Sequence, residues 1–391
     1  MELTPWQRII LPSSIARLAA YIDEPEDLVA GNALTLLRDG REAYPAMLAA
    51  IESAKNSVHL ETYILRDDKT GRRFSDVLCA KAQSGVDVRL IFDAVGSIHL
   101  PSRFIQKLRN HGVRVLEYRP VAPWRHRWGW SRRDHRKILV VDGRTGFAGG
   151  LNIADDYAAK EEGGSGWRDT HVRIDGPAAY DLERLFRSVW FKETGRWFAS
   201  DSDLGFKPGE ARVQVAANQE FLNRFLIRRS YLYAIGRAQK RILIANAYFI
   251  PDRRIRKALY DARARGVDVR VLVPTASDAP PVDYASRRLF SRHMANGLKL
   301  YRWPGPVLHA KTMTVDGIWS AVGSYNFTHR SLHHNLEVNL HILDKRFSEN
   351  LEETLLRDMR NCAPLSAGDW DRRPLSEKIL ERVSYFFRYL F

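Results

Sequence analysis

Residues 309–317 read HAKTMTVDG. Side chains on a strand alternate with period two, so His309 and Lys311 share a face and Met313 and Val315 extend the row. Asp316 followed by Gly317 is a turn signal that ends the strand. An imidazole beside an ammonium on one face suits a negatively charged substrate. Residues 135–143, HRKILVVDG, repeat the pattern through His135, Lys137, Asp142 and Gly143 at an offset of 309 − 135 = 174 residues. The same offset carries Gly149, Gly150 and Asn152 of GGLN onto Gly323, Ser324 and Asn326 of GSYN. Roughly 0.03 chance matches to H-x-K-x4-D are expected in a chain of this length, so two copies in register mark a duplication.

The repeat extends outward from the two motifs. AAIESAKNSVHLETYIL (49–65) reads as a helix and then a strand, and YAIGRAQKRILIANAYFI (233–250) keeps that order. AKAQSGVDVRLIFDAVGS (80–97) matches ARARGVDVRVLVPTAS (262–277), each a helix end, a glycine stop and a buried strand. Helices alternate with strands throughout, which predicts an α/β fold of two halves, each a mixed sheet flanked by helices. The expected division is an extension at 1–30, a first domain at 31–198, a linker rich in Asp, Ser, Gly and Pro at 199–212, a second domain at 213–362 and an amphipathic segment at 363–391. A pseudo-twofold axis would bring the two histidine strands to one site.

The 391 residues suffice for two such domains. A formal charge of +15, with arginine outnumbering lysine 47 to 14, points to an anionic partner. Two cysteines, Cys79 and Cys362, make no disulfide framework and fit no metal-ligand spacing. The first 27 residues lack the pattern of a signal peptide, and the longest apolar run, ILIANAYFI (242–250), is far short of the ~20 residues that cross a bilayer. The expectation is a protein on the cytoplasmic side, free or resting on a membrane face. Nothing in the sequence sets an oligomeric state.

Two histidines, two lysines and two asparagines around one phosphate form a coherent set. One imidazole attacks phosphorus while the other protonates the leaving alkoxide. Lys137 and Lys311 neutralise the phosphoryl oxygens, so neither metal nor cofactor is expected. Asn152, Asn326 and Ser324 are candidate phosphate contacts. A catalytic histidine needs a carboxylate on its second ring nitrogen. Asp169 lies 34 residues after His135, and Glu337 lies 28 after His309. Asp142 and Asp316 belong to the motif, although their turn position favours holding the strand ends over touching substrate.

The duplicated H-x-K-x4-D followed by G-[GS]-x-N resembles the signature of the phospholipase D superfamily, from about Gly31 to Asp344. GNALTLLRDGREAYPAMLAAIESAKNSVHLETYIL, DHRKILVVDG with GGLNIADDY, WRDTHVRIDGPA and YFIPD are similar to bacterial cardiolipin synthases, of the shorter type without paired N-terminal transmembrane helices. The resemblance implies two tandem phospholipase D-like domains with one active site at their interface. It also implies phosphatidyl transfer from one phosphatidylglycerol, or another phospholipid, to phosphatidylglycerol through a phosphohistidine, with release of glycerol; the short type leaves the donor open. Hydrolysis of lipid, and cleavage of nucleic acid by the same fold, are the alternatives. No nucleic-acid partner is expected, because two stretches suit an anionic lipid surface instead. APWRHRWGWSRRDHRK (122–137) interleaves Trp124, Trp128 and Trp130 with Arg125, Arg127, Arg132 and Arg133. LSEKILERVSYFFRYLF (375–391) carries Ile379, Val383, Phe387 and Leu390 along a helical stripe, widened by Tyr385, Phe386 and Tyr389.

Overall fold

A computed structural model describes residues 20–122, 124, 129, 131–200, 203–218 and 225–391. The first half contributes β1 (Val29–Leu37), β2 (Ser57–Thr62), β3 (Asp87–Asp93), β4 (Arg114–Tyr118), β5 (Ile138–Val141), β6 (Thr145–Gly149) and β7 (His171–Asp175). The second contributes β8 (Ala211–Asn218), β9 (Arg241–Asn246), β10 (Asp268–Pro274), β11 (Lys299–Trp303), β12 (Lys311–Val315), β13 (Trp319–Gly323) and β14 (Glu337–Leu343). All fourteen join one mixed sheet in the order β11-β10-β9-β12-β13-β14-β8-β1-β7-β6-β5-β2-β3-β4. That order is a palindrome about the β8–β1 contact, so the duplication becomes a pseudo-twofold axis between those two antiparallel strands. β1 begins two residues inside the expected extension and β8 two residues inside the expected linker.

Within each half three strands run parallel, β2-β3-β4 and β9-β10-β11, joined by crossover helices. The helices are α1 (Gly40–Ser53), α2 (Lys69–Gln83), α3 (Ser102–Asn110) and α4 (Ala178–Thr194) in the first half. The second half has α5 (Leu226–Arg237), α6 (Arg253–Ala264), α7 (Pro280–Arg287), α8 (Phe290–Ala295), α9 (His329–His333) and α10 (Lys345–Arg360), followed by α11 (Ala367–Asp371) and α12 (Leu375–Phe386). Each half packs its outer helices on its own core, one around Leu60, Leu90 and Leu139 and the other around Ile244, Val271 and Met313. A third core is shared: Ile138, Val140 and Val172 of the first half pack with Leu308, Ala310 and Val322 of the second. Burial on both faces explains why the central strands read as continuous apolar runs. The shared core fixes the two motif strands against each other. No helix among the described residues is long and apolar enough to cross a membrane.

Candidate active site

Each histidine enters the site on a short bridge between the halves. His135 N–H donates to the Leu336 carbonyl at 3.0 Å, and Leu336 N–H donates to the Arg133 carbonyl at 2.9 Å. In the other copy His309 N–H donates to Arg168 O at 2.7 Å, and Arg168 N–H to Val307 O at 2.9 Å. The strand reading therefore needs correcting in both copies: β5 begins at Ile138 and β12 at Lys311, so His135, Lys137 and His309 precede the strands on these bridging segments.

The bridges cross the two candidate carboxylates. Glu337 follows Leu336, and His135 Nδ1–H donates to its Oε2 at 3.0 Å. Asp169 follows Arg168, and His309 Nδ1–H donates to its Oδ2 at 2.7 Å. A pairing of each histidine with the carboxylate downstream in its own half is thus overturned. Glu337 opens β14, whereas Asp169 lies two residues ahead of β7.

Beyond the histidines, each carboxylate is held by different neighbours. Glu337 also accepts from Ser324 Oγ at 2.5 Å, Ser331 Oγ at 2.7 Å and Asn335 Nδ2 at 3.3 Å. Ser324 was expected on the phosphate; its hydroxyl is spent on this carboxylate instead, and the residue lies outside the cavity lining. Gly150 is its counterpart, and a Cβ there would stand 2.1 Å from Asp169 Oδ1, so glycine makes room for that carboxylate.

Both imidazoles, with Asn152 and Asn326, line one cavity of about 340 Å3. Lys137 Nζ donates to His135 O at 2.6 Å, and Lys311 Nζ stands 2.8 Å from His309 Nδ1. Asn152 donates to Tyr157 Oη at 2.6 Å and accepts from Ile64 N–H at 3.0 Å. The Asn326 side-chain oxygen is buried without a partner among the described residues. Sequence reading missed Tyr63, Tyr248, Asp278 and Arg330, which line the same cavity. Tyr63 meets the His135 ring edge-on at 5.0 Å, and Tyr248 Oη donates to Asp278 at 2.7 Å. The repeat held a signal for two of them, because ETYIL and NAYFI place Tyr63 and Tyr248 at equivalent positions.

Burial dominates the electrostatics. It pulls His135 down to about 4, helped by Lys137 and opposed by Glu337, and it lowers His309 likewise with help from Lys311. Burial also brings Lys137 to about 7, with Lys311 adding to the fall, and Lys311 itself to about 8. Burial would raise Asp169, but Lys311 and His309 outweigh it and hold the carboxyl at about 2. Glu337 is also held below its usual range against burial, by His135, Lys137 and Ser324. The free site thus joins ionised carboxylates to neutral imidazoles, whose Nε2 lone pairs are free to attack.

Asp142 and Asp316 do not belong with these groups. Five residues of strand, roughly 16 Å, separate Lys137 from Asp142. Asp142 accepts from the N–H groups of Lys55, Asn56 and Ser57 at 2.9, 2.7 and 2.9 Å. Asp316 accepts from Gln239, Lys240 and Arg241 N–H at 2.8, 2.8 and 2.7 Å and from Tyr21 Oη at 2.9 Å. Both adopt positive φ, 50° and 56°, ahead of a glycine that does the same, which is the geometry of a type I′-like hairpin turn. Their place in the motif is architectural: each pins the start of the neighbouring strand. Asp142→Ala should cost about 2 kcal/mol of stability, read as a lower melting temperature, with turnover per folded molecule retained. A loss of turnover at unchanged melting temperature would return Asp142 to the chemistry.

Of the interfacial candidates, Trp124 is 87% exposed, whereas Arg125, Arg127, Trp128 and Trp130 lie outside the described residues. Arg133 is buried, 3.6 Å from Asp93, and takes no part in a surface.

Comparison with known proteins identifies the family and the fold. Residues 47–190 and 231–359 match a family model described as cardiolipin synthase, PLD-like domain. A cardiolipin synthase of Geobacillus sp. (strain WCH70) is 36% identical over 89% of this chain and 70% of its own length. Another, of Geobacillus thermodenitrificans, is 36% identical over 98% of this chain and 76% of its own. Among solved structures, the phosphatidylserine synthase of Haemophilus influenzae Rd KW20 superposes with a TM-score of 0.70 at 15% identity, covering 93% of this chain and 97% of that one, a likeness of fold.

Proposed function

The chain belongs to the cardiolipin synthase, PLD-like domain family, and from that premise we propose that it joins two phosphatidylglycerol molecules at the cavity shared by His135 and His309. It is a phosphatidyltransferase. The observation that carries the reading is the pair of crossed histidine–carboxylate units opening on one cavity. His135 Nε2 attacks the donor phosphorus and forms a P–N bond as the P–O bond to glycerol breaks. His309 gives its Nε2 proton to the departing glycerol oxygen. The acceptor's glycerol hydroxyl then attacks phosphorus, returns its proton to His309 and releases His135. Lys137 and Lys311 balance the charge gathering on the phosphoryl oxygens, and Asn152 and Asn326 orient them. Asp169 and Glu337 hold the imidazole tautomers and stabilise each transient cation.

The lipid substrate calls for work at a membrane surface, and we propose that the enzyme does so as a peripheral protein on the cytoplasmic face. No nucleic-acid partner is required. The deciding experiment is incubation of the protein with phosphatidylglycerol alone, with products identified by mass spectrometry. Cardiolipin and free glycerol in equal amounts are expected. Phosphatidic acid in place of cardiolipin would make the chain a hydrolase.

The depressed pKa values carry a further expectation. The mechanism needs one proton shared by the histidines and charge on both lysines, while Lys137 near 7 and Lys311 near 8 are losing theirs at pH 8. A bound phosphodiester anion restores the charged forms. Binding of a non-reactive phosphodiester at pH 8 should therefore take up about two protons. Calorimetry in two buffers of different ionisation enthalpy measures this directly. Protonated lysines are present below their folded pKa and lost as pH rises through it, so affinity should weaken progressively from about pH 7 upward. Heats independent of buffer would contradict the assignment.

A further inference from the structure

We propose that the face formed by α12 and the arginine-lined cavity beside it is a docking site for the phosphate headgroup of an anionic phospholipid in a membrane surface. The inference rests on the lipid reading of the catalytic cavity and adds a second lipid contact outside it. α12 is inverted for a helix on a globular protein. Leu375, Ile379, Val383 and Phe386 are 71, 51, 51 and 73% exposed. Their spacings of four, four and three put them within an arc of about 80° at 100° per residue. The inward face carries Glu381, 2% exposed, whose carboxylate oxygens accept from the Arg373 guanidinium at 3.1 and 2.9 Å. Tyr385, also inward, packs on Ile250, Ala285 and Leu289. The fold thus buries a charge and leaves the apolar stripe in solvent.

An apolar stripe alone does not name its occupant; the neighbouring cavity does. A hollow of about 390 Å3 is lined by Arg228, Arg253, Arg254, Arg256 and Arg388. Among the described residues Asp252 is the one carboxylate in the lining; its Oδ1 accepts from the Arg254 and Ile255 N–H groups as the cap of α6, and its Oδ2 stands 3.9 Å from Arg228. The remaining positive charge is complementary to phosphate, and guanidinium grips phosphate with two parallel donors. Tyr385 and Tyr389 wall this hollow, while Leu390 and Phe391 line the catalytic cavity. One stretch of chain, Tyr385 to Phe391, therefore runs from the arginine hollow to the catalytic mouth. A headgroup held by the arginines would lay its acyl chains toward Ile379 and Phe386 and bring the catalytic mouth to the lipid surface. A second copy of this chain would set arginine against arginine, and nucleic acid would leave the stripe uncovered.

The test is sedimentation of the full chain with vesicles of phosphatidylglycerol or of phosphatidylcholine in 0.1 M salt. The wild-type protein should prefer phosphatidylglycerol. Ile379→Ser/Val383→Ser/Phe386→Ser should weaken that binding at least tenfold while turning over monodisperse short-chain phosphatidylglycerol within twofold of wild type. Arg253→Glu/Arg254→Glu should abolish the preference for the anionic vesicle. Vesicle binding at the wild-type level in either variant overturns the proposal. So does a parallel fall in short-chain turnover in the serine triple, which would make α12 a support of the fold. Dissociation of an oligomer by the triple, with vesicle binding intact, would make the face a self-association surface instead. A wild-type protein that binds the anionic vesicles through these residues but makes no cardiolipin would leave the docking site standing and remove the proposed reaction.

Discussion

Conversion of either His135 or His309 to alanine is expected to lower cardiolipin formation on the order of a thousandfold or more, because each removes a proton carrier or nucleophile that nothing else in the cavity can replace. The two variants should fail at different points. With His309 absent the leaving glycerol has no acid, but a donor whose leaving group is already acidic needs none. Such a donor should still load His135, and with no base to activate the acceptor the phosphatidyl adduct should accumulate. His135→Ala should form no adduct with either donor. Acid-labile lipid retained on the protein through denaturation, and localised by peptide mass spectrometry, reads this difference. An adduct on His309 would exchange the two assignments. Residual turnover above a tenth of wild type in either variant would end the two-histidine mechanism.

Much of the fold was legible because a duplication writes every strong signal twice. The 174-residue offset aligned both motif strands and both turn aspartates, the parallel strands matched by local sequence at larger offsets, and the palindromic sheet follows that pairing strand for strand. What joins the halves was less legible. β1 and β8 pair at the centre, yet VAGNALTLL and ARVQVAAN share little beyond alternation. The crossing of the carboxylates was hidden for a physical reason. Distance along the chain says which residues lie on adjacent strands of one half, whereas His135 meets Glu337 through a bridge whose register is set by the shared core. α12 presents a similar case. Ile379 and Val383 were legible as part of a stripe, but the helix ends at Phe386, Leu390 lines the catalytic cavity and Tyr385 turns inward on the same side as the Arg373–Glu381 pair, none of which periodicity encodes.

The crossing has its own expected result. Glu337→Gln keeps the shape of the side chain but removes the charge that stabilises a cationic His135, in the group and in its phosphorylated form. The carboxamide oxygen can remain toward His135 only by turning its NH2 onto Ser331 and Asn335, which are themselves donors in this structure. In the opposite orientation the imidazole must accept at Nδ1, which moves its proton to Nε2 and blocks attack. Either outcome should slow phosphatidyl transfer by about 10²–10⁴-fold with little change in KM. Adduct formation from the activated donor, measured in the His309→Ala background, isolates the pairing. There Glu337→Gln should slow loading of His135 by a similar factor. Asp169→Asn should leave loading nearly unchanged, because the imidazole it serves is already gone. If each carboxylate served the histidine of its own half, Asp169→Asn would be the slow one and Glu337→Gln the silent one. The bridges from Arg133 to Leu336 and from Val307 to Arg168 set the direction of the result. Each half supplies the nucleophile or acid of one unit and the carboxylate of the other, so neither half alone holds a complete one.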